Sequence, residues 1–283
     1  MQNGNKSECT VFLKEMLPKM NMRYEGYRKV RKRVCKRISR RIEELGLNNF
    51  NHYLRYIQTN PEEVRMLDSV LRITITRFFR DWKIFESLSD YIFPEFIKRS
   101  HSQGNPRIDI WSAGCAAGQE PYTVWMIYDQ CRKALGTNTP ELKIVATDID
   151  PRQIKRAKEG RFKSSELKEL PDQFREHYFT KSSRVEEYYI NRTVIENVEF
   201  CSQDIRQELP NGKFDLILCR NLVFTYFNEN FQREITSRIV NKLNPGGYLV
   251  VGSHESVPDN SQRFLITDLD RRIYKKASSA QPG

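Results

Sequence analysis

The sequence predicts an α/β protein with a mostly parallel sheet and an antiparallel pair of strands at its end, preceded by a small all-α domain. Short apolar runs typical of buried strands alternate with helical patterns over residues 107–275. The first run leads into small residues, GCAAG at 114–118, and then into a helix. This order is typical of turns that bring backbone N–H groups close to a nucleotide-like ligand, and a tight βα turn of any α/β protein is the alternative. Helical spacing over residues 27–72 indicates the all-α part.

Composition limits the class of protein. The chain has 283 residues, enough for one large or two smaller domains, and its mean hydropathy of −0.67 suits a soluble protein. No apolar run approaches the roughly 20 residues of a membrane span, and residues 1–10 lack a signal-peptide core. The six cysteines form no C-x-x-C pair and the four histidines lie far apart, so we expect reduced thiols, a cytoplasmic location and no metal.

The first clear helix carries an unusual charge pattern. Val30, Val34, Ile38 and Ile42 recur at helical spacing, whereas the other face holds nine basic residues and no acidic one between positions 28 and 41. A solvated helix face is one interpretation. Because uncompensated charges repel one another, we favour a docking surface for an acidic partner, which can be nucleic acid, an anionic membrane or a protein.

The remaining organisation follows from helix signals and β-branched residues. Helices are predicted around residues 50–57 and 60–71, and the alternating residues of 73–81 predict an extended linker. We therefore place a helical domain and linker at 1–82 and the α/β domain at 83–283. Within the latter, 184–197 is expected to form a small β-subdomain, a hairpin with strands at 188–190 and 193–195. A polar loop is expected at 101–106 and a disordered tail at 277–283.

Polar residues follow several of the predicted strands. Ligands of open α/β sheets bind beyond the carboxyl ends of the strands, so Gly114, Asp148, Asp204 and Asn221 are expected to meet in one crevice. Asp148 is suited to ribose hydroxyls, whereas Asp150, which precedes a proline, is suited to capping a helix. The glycine spacing is G-x-x-x-G, which does not match the dinucleotide fingerprint.

Five blocks in a fixed order carry a resemblance to a known family. They are Thr74 and Thr76 with Phe78-Phe79-Arg80-Asp81, residues 111–115 (WSAGC) with 118–122 (GQEPY), 146–150 (ATDID), 219–221 (CRN), and 245–248 (PGGY) with Gly252. Each block is a weak signal, but the ordered set is specific. Over about residues 27–275 the chain resembles the chemotaxis-type protein-glutamate O-methyltransferases, which methylate chemoreceptors with S-adenosylmethionine.

The resemblance implies a Rossmann-like class I methyltransferase domain with a small inserted β-subdomain. Arg80 would meet the carboxylate end of the cofactor, Asp148 its ribose, and Glu120 its methionine portion. The implied cofactor-binding residues are Thr74, Thr76, Arg80, Gly114, Glu120, Asp148, Asp204, Ile205, Arg220 and Asn221. The implied catalytic residues are Arg80, Asn221 and Tyr226. The reacting methyl would be bordered by Arg220, Asn221 and Tyr226.

Four features depart from the family pattern. Gln119 stands where the family often has Glu, and Asp204 stands where Asn is common. The chain is one residue longer than usual between Asn221 and Tyr226. Residues 180–192 contain no glycine, whereas relatives that dock on a receptor's C-terminal pentapeptide carry a glycine-bearing loop there, so we do not expect such docking.

The expected partner is an acidic helical protein, a chemoreceptor cytoplasmic domain, held by Arg33, Arg37 and Arg40 of the basic helix. We expect a monomer with no stable nucleic-acid binding and no membrane insertion. Two alternatives remain. One is a methyltransferase that acts on a small molecule or on nucleic acid, although no N-P-P-Y-type base-methylation motif follows the strands. The other is a non-catalytic binding module that uses the basic helix.

Overall fold

The computed structural model describes residues 2–104, 107–136, 139–258, 264–267 and 269–277, without the side chains of 2–6, 103 and 264–266. Residues 278–283 of the expected disordered tail and residues 105–106 of the expected loop lie outside these ranges. Contacts divide the chain into two units. The helical unit runs to Ile75 and includes Thr225–Gln232, and the sheet unit comprises Thr76–Phe224 and the chain from Arg233 onward.

This division differs from the predicted boundary between residues 82 and 83. The end of the linker packs inside the sheet unit, where the fully buried ring of Phe78 lies edge-on to Phe162 and Phe179 at 4.8 and 5.2 Å. Such aromatic contacts add to the free energy gained by burying the ring, so residues 76–81 belong structurally to the sheet unit.

The helical unit contains five helices before the linker. They are α1 (Gln2–Lys19), α2 (Tyr24–Tyr27), α3 (Arg31–Glu44), α4 (Phe50–Thr59) and α5 (Pro61–Leu71). The predicted apolar stripe of α3 is buried, as Val34, Ile38 and Ile42 are at most 5% exposed. The sequence pattern does not reveal α1, because residues 2–8 are polar and the buried apolar residues begin only at Cys9.

A disulfide joins Cys9 of α1 to Cys35 of α3, with the Cα atoms 5.9 Å apart. The expectation that all six thiols are reduced is therefore wrong for this pair. It failed because the unrecognised helix α1 brings together two cysteines that are 26 residues apart in the chain. The other four cysteines, Cys115, Cys131, Cys201 and Cys219, are free.

The sheet unit begins with α6 (Trp82–Ser87), a π-helical turn (Leu88–Ile92) and α7 (Phe93–Gln103). Alternating strands and helices follow: β1 (Arg107–Ala113), α8 (Gln119–Leu135), β2 (Glu141–Asp148), α9 (Pro151–Glu159), β3 (Arg161–Lys163), a 3-10 turn (Ser164–Glu166), α10 (Asp172–Tyr178), β4 (Phe179–Lys181), β5 (Glu187–Ile190), α11 (Arg192–Glu196), β6 (Val198–Ser202), β7 (Phe214–Cys219), α12 (Val223–Tyr226), α13 (Glu229–Lys242), β8 (Leu243–Val251), β9 (Phe264–Ile266) and β10 (Ile273–Lys276). Thr225–Gln232, which spans the end of α12 and the start of α13, belongs to the helical unit.

The main sheet has seven strands in the order β6-β2-β1-β7-β8-β10-β9. The β6–β2, β2–β1, β1–β7 and β7–β8 pairs are parallel, and β10 pairs antiparallel with both β8 and β9. The predicted fold class is thus confirmed. Because the chain order reverses between β1 and β7, the ends of these two strands flank the topological switch point where α/β proteins bind ligands.

A second, three-stranded antiparallel sheet has the order β3-β5-β4. The hairpin predicted within 184–197 supplies only β5. Residues 193–195 lie instead in α11, whose first turn is closed by N–H groups of Val194 and Ile195 that donate to the Asn191 carbonyl. The helix buries Val194 fully, so packing overrides the strand propensity of these β-branched residues.

Candidate active site

The turn after β1 is built for close approach of the backbone to a ligand. Gly114, Ala116 and Gly118 have φ of 76°, 49° and 89°, in the left-handed region that glycine adopts without strain. The N–H groups of Gly114 and Cys115 donate to the Thr147 carbonyl at 2.8 and 3.0 Å, which ties the turn to β2. A Cβ at Gly118 would lie 2.8 Å from the Tyr122 ring, so a larger residue does not fit there.

Asp148 lies at the end of β2 and faces this turn. Its Oδ2 accepts from the Ala116 N–H at 2.9 Å, and its Oδ1 accepts from the Asp150 N–H at 2.8 Å. These bonds fix the carboxylate, a pure acceptor, at the sheet edge where hydroxyl donors of a ribose would meet it. Asp150 accepts from the Arg152 N–H at 3.0 Å and caps α9, as the sequence predicted.

The end of β6 adds a neighbour that the sequence did not single out. The Gln203 N–H donates to the Asp148 carbonyl at 3.0 Å. The side-chain Oε1 of Gln203 is buried and has no hydrogen-bond partner in the described part of the chain. Asp204 instead turns to Arg206, whose Nε lies 2.9 and 3.0 Å from its two oxygens. Ile205 is buried. Of this strand end, the sequence had indicated Asp204 and Ile205 but not the unsatisfied acceptor beside Asp148.

Arg220, at the end of β7, holds three segments together. Its side chain is only 4% exposed. Nη1 donates to Glu120 Oε2 at 3.0 Å, and Nη2 donates to Asp81 Oδ2 at 2.8 Å and to the Arg80 carbonyl at 2.7 Å. Glu120 in turn accepts from Ser112 Oγ at 2.7 Å. One guanidinium thus links the linker, α8 and β7 through charge-assisted bonds, the strong class of hydrogen bond.

The backbone on both sides of Arg80 is constrained. Phe79 and Asp81 have φ of 55° and 62°, a region that side-chain-bearing residues rarely adopt. Contacts hold them there: Phe79 N–H donates to Thr123 Oγ1 at 3.4 Å, and Asp81 pairs with Arg220. Such conformations cost about 1–3 kcal/mol each and persist where the surroundings impose them, often at functional sites.

Asn221 follows Arg220 and has φ of 55°. The buried carboxylate of Glu255, 7% exposed, holds this conformation, because its Oε2 accepts from the N–H groups of Asn221 at 2.7 Å and Gly252 at 2.6 Å. A Cβ at Gly252 would lie 2.5 Å from Asn221 Nδ2, which explains the glycine. Glu255 was not identified from the sequence, because it lies 34 residues from its partner with no spacing pattern to reveal it.

The predicted site residues fall into both units. Those in the sheet unit that share the strand ends are Gly114, Glu120, Asp148, Asp204, Ile205, Arg220 and Asn221, with Thr76 and Arg80 in the linker. Thr74, Tyr226 and the arginines of α3 belong to the helical unit. There the Tyr226 ring lies 5.1 Å from that of Tyr27. Arg37 donates to the Arg72 carbonyl at 2.6 Å, whereas Arg33 and Arg40 are exposed.

Two buried cysteines lie beside these groups. Burial, with the nearby Asp148 carboxylate adding to it, raises the pKa of Cys115, and burial beside Glu255 raises the pKa of Cys219. Both thiols therefore stay protonated at neutral pH, and neither is a thiolate nucleophile. The described His, Cys, Asp and Glu side chains form no group of three or more that could hold a metal ion.

Comparison with known proteins identifies the family. Residues 74–273 match the family described as CheR methyltransferase, SAM binding domain, and residues 30–70 match CheR methyltransferase, all-alpha domain. The chain belongs to the CheR methyltransferase family. It is therefore a methyltransferase that uses S-adenosylmethionine, as the resemblance implied.

Individual relatives agree with this assignment. A probable chemotaxis protein methyltransferase of Rhizobium etli is 34% identical over 82% of this chain and 87% of its own length. Chemotaxis protein methyltransferase 1 of Pseudomonas aeruginosa is 32% identical over 81% and 84%. The chemotaxis protein methyltransferase of Escherichia coli is 31% identical over 82% and 79%. Among solved structures, the N-methyltransferase NodS of Bradyrhizobium japonicum aligns with a TM-score of 0.35 at 15% identity, covering 68% of this chain and all of NodS.

The residues at the strand ends fit S-adenosylmethionine. Gln203 Oε1, beside Asp148, and Gln119 Oε1, at the start of α8, are buried acceptors without a partner among the described residues. A buried acceptor without a donor costs about 1–3 kcal/mol, and a ligand that supplies one recovers this cost. The cofactor carries such donors: the ribose hydroxyls, the adenine amine and the methionine ammonium.

Proposed function

We propose that this protein transfers a methyl group from S-adenosylmethionine to a glutamate side-chain carboxylate of a chemoreceptor, giving a glutamate methyl ester and S-adenosylhomocysteine. The names of the relatives support the chemoreceptor as substrate. The observation that carries the choice of acceptor is the pair of residues at the end of β7, Arg220 and Asn221. Neither a guanidinium nor an amide is a base at neutral pH, so the site suits an acceptor that is already ionised.

A glutamate carboxylate meets this condition. Its ordinary pKa is about 4.3, so it is ionised at pH 7 and needs no general base. Bound S-adenosylmethionine supplies the electrophilic methyl on its sulfonium. The protein then contributes by aligning the carboxylate in line with that methyl and by removing water from it. The Arg220 network serves the alignment, because it fixes Glu120 and the linker at Arg80 relative to the end of β7.

The residue roles proposed here follow the placement of the side chains. Asp148 binds the ribose, and Gln203 is added as an acceptor for the adenosine portion. Arg80 and Glu120 hold the methionine portion, with Gly114 at the turn, Thr76 in the linker and Ile205 against the base. Asp204 contributes to the cofactor site indirectly, through its bond to Arg206. Thr74 and Tyr226, in the helical unit, keep the roles that the resemblance gives them.

The exposed basic residues of α3 are proposed to hold the substrate. Arg33, Lys36 and Arg40 are exposed, and their side chains make no hydrogen bond or ion pair within the described residues. An acidic helical segment of a chemoreceptor complements this face, and a reaction on that segment takes place in the cytoplasm. The chain is proposed to act as a monomer.

The test uses purified protein, a chemoreceptor cytoplasmic fragment and S-adenosylmethionine labelled in its methyl group. We expect label on the receptor that mild base releases as methanol, since a carboxyl ester is base-labile and an N-methyl group is not. The matched sample contains a receptor fragment with its candidate glutamates changed to alanine and should take up no label. Label that resists base, or that appears on added RNA or on a small molecule instead, would show that the proposed acceptor is wrong.

A further inference from the structure

A groove of about 720 Å³ lies in the sheet unit between α6, α8 and the segment around α10. Its floor is apolar: Phe79, Phe85, Ile127 and Phe174 line it, and each is at most 9% exposed. The volume is within the range of about 300–1,000 Å³ that is usual for ligand pockets. The groove is therefore large enough to receive several side chains of a partner.

The groove extends away from the methyl-transfer site. Ile127 and Gln130 lie on α8, seven and ten residues beyond Glu120. At a rise of 1.5 Å per residue, this places them about 10 and 15 Å along the helix from Glu120. Phe85 and Asp81 contact both regions, since they line the groove and also touch Arg220. The groove is thus a surface separate from the methyl-transfer site, and the two share Phe85 and Asp81.

The rim of the groove is acidic in a chain whose net charge is +11. Its charged lining residues are Asp81, Glu86, Asp90 and Glu169, and none of the residues that line it is basic. Asp81 pairs with Arg220, and Glu169 pairs with Arg77 at 2.6 Å. Glu86 and Asp90 are exposed and make no side-chain hydrogen bond or ion pair within the described ranges. Two carboxylates therefore stand unneutralised over an apolar floor.

An exposed aromatic ring completes this face. Trp82 is 56% exposed, whereas the other two tryptophans are at most 6% exposed. Trp82 and Glu86 are spaced four residues apart on α6, which places them on one side of that helix, and Asp90 of the following π-helical turn lines the same groove. A tryptophan face beside carboxylates attracts Arg or Lys. Gln173 adds a side-chain amide to the lining, a group that pairs with a peptide backbone, and Gln130, whose Nε2 donates to Tyr178 Oη at 3.1 Å, adds an acceptor oxygen.

We propose that this groove binds an extended segment of a partner protein in which an arginine or lysine stands next to a large hydrophobic side chain. The cation would lie between Trp82 and the carboxylates of Glu86 and Asp90, and the hydrophobic side chain would cover the floor. A polyamine satisfies the rim but leaves the floor uncovered, so the chemistry favours a peptide. The proposal does not rest on the identity of the methyl acceptor.

The experiment titrates the full-length protein with a capped peptide, Gly-Arg-Leu-Arg-Phe-Gly. The fluorescence of the exposed Trp82 and calorimetry report the binding. We expect saturable binding, and no binding of the peptide in which glutamate replaces both arginines. Spermine at the same ionic strength should bind more weakly than the arginine peptide. Equal affinity for spermine and the peptide, or for both peptides, would overturn the proposal.

Variants locate the site. The double variant E86K/D90K should weaken binding of the peptide by about tenfold, since two carboxylates that attract its arginines become ammonium groups that repel them. The matched control E141K/E159K makes the same change of charge at exposed carboxylates outside the groove and should bind as the wild type does. Affinity for S-adenosylhomocysteine should be unchanged in both variants, which verifies their fold. If the control loses as much affinity as E86K/D90K, the peptide responds to net charge alone and the groove is not its site.

Discussion

At the scale of single residues, Asp148 combines two tasks. Its carboxylate closes the turn after β1 through the Ala116 N–H, and it faces the position proposed for the ribose. Alanine removes both functions, whereas asparagine keeps one acceptor oxygen for the turn and loses the negative charge. The two substitutions therefore separate support of the turn from binding of the cofactor.

Asp148→Ala should weaken binding of S-adenosylmethionine by about 1.5–3 kcal/mol, the range for hydrogen bonds to a charged group. Asp148→Asn should lose less. Calorimetry with nucleotide-free protein measures both, and the thermal midpoint of each variant is the control for folding. Wild-type affinity in Asp148→Ala would remove this residue from the cofactor site.

Glu255 acts on the site through the backbone of Asn221. Without its carboxylate, the Asn221 and Gly252 N–H groups lose this acceptor, which supports the left-handed conformation of Asn221. We expect Glu255→Ala to lower kcat by about 10- to 100-fold, as misplacement of a catalytic group does, with little change in KM for S-adenosylmethionine. Glu255→Gln keeps an oxygen in place and should restore part of kcat. Equal losses in both variants, or a loss confined to KM, would exclude a positioning role.

The two residues differ in how far sequence could reveal them. Asp148 was predictable because a parallel strand ends there, and the physics of α/β sheets places ligands at such ends. Glu255 was not, because its partner is distant in the chain and a buried glutamate leaves no periodic pattern. The same reason applies to the Cys9–Cys35 bond. Contacts between distant segments decide these features, whereas local patterning decides strands and helices.

At the scale of elements, α3 shows that not all basic residues serve one purpose. Arg41 binds the buried Glu63 with two bonds of 2.9 and 2.8 Å, and Tyr53 donates to the same carboxylate at 2.8 Å. Arg37 donates to carbonyls at the end of α5. These arginines join α3 to its neighbours, and the exposed Arg33, Lys36 and Arg40 are left for docking.

The Glu63 pair makes the helical unit sensitive to acid. The hydrogen bonds from Arg41 lower the pKa of Glu63 below its ordinary value. A lowered pKa in the folded state adds stability above the unfolded pKa of about 4.3, and this stability is lost as the pH falls through the folded value. Glu63→Gln should lower the free energy of unfolding of the helical unit by about 3 kcal/mol at pH 7. The difference in this free energy between wild type and variant should shrink toward pH 3.

Hydrogen exchange of the α5 amides measures this difference. The matched control is Glu62→Gln, at the neighbouring residue, whose side chain is 82% exposed and which should change stability by less than about 0.5 kcal/mol. A difference between wild type and Glu63→Gln that stays constant with pH would mean that the ion pair adds no pH-dependent stability.

Charge reversal on the exposed face of α3 tests docking. Like charges along a helix destabilise it by a few tenths of a kcal/mol per pair, so a binding role accounts for their density. Replacing Arg33, Lys36 and Arg40 by glutamate should raise KM for the acidic receptor fragment by about tenfold, with affinity for S-adenosylmethionine unchanged. Raising the ionic strength to 0.1 M, where charges are screened beyond about 10 Å, should have a similar effect on the wild type.

The matched variant replaces the exposed Lys98, Lys155 and Lys168 of the sheet unit by glutamate and should leave KM near the wild-type value. An equal rise in both variants would assign the effect to net charge. Loss of RNA or DNA binding in the α3 variant, with normal methylation of the receptor, would favour a nucleic-acid partner for this helix.

At the scale of the whole molecule, the helical unit is discontinuous in sequence, because Thr225–Gln232 belongs to it. The Arg23 N–H donates to the Tyr226 carbonyl at 2.9 Å, and the Asn228 N–H donates to the Asn21 carbonyl at 2.8 Å. The sequence places this segment in the second domain, since periodicity cannot show which of two units a short helix packs on. The close approach of the segment to α2 makes its contribution measurable.

Gly26 of α2 provides that measurement. A Cβ at this position would clash with the Thr225 carbonyl oxygen, so Gly26→Ala should destabilise the helical unit of the full chain by about 1–3 kcal/mol. In a chain whose residues 225–232 are replaced by a Gly-Ser linker of equal length, the obstacle is gone. The same substitution should then stabilise the unit by up to about 1 kcal/mol, because alanine favours helix. Hydrogen exchange of the α1 and α3 amides measures this stability in both backgrounds, each with and without Gly26→Ala. The sign of the effect must reverse between the two backgrounds, and a Gly26→Ala effect of the same sign in both would show that this segment does not pack on α2.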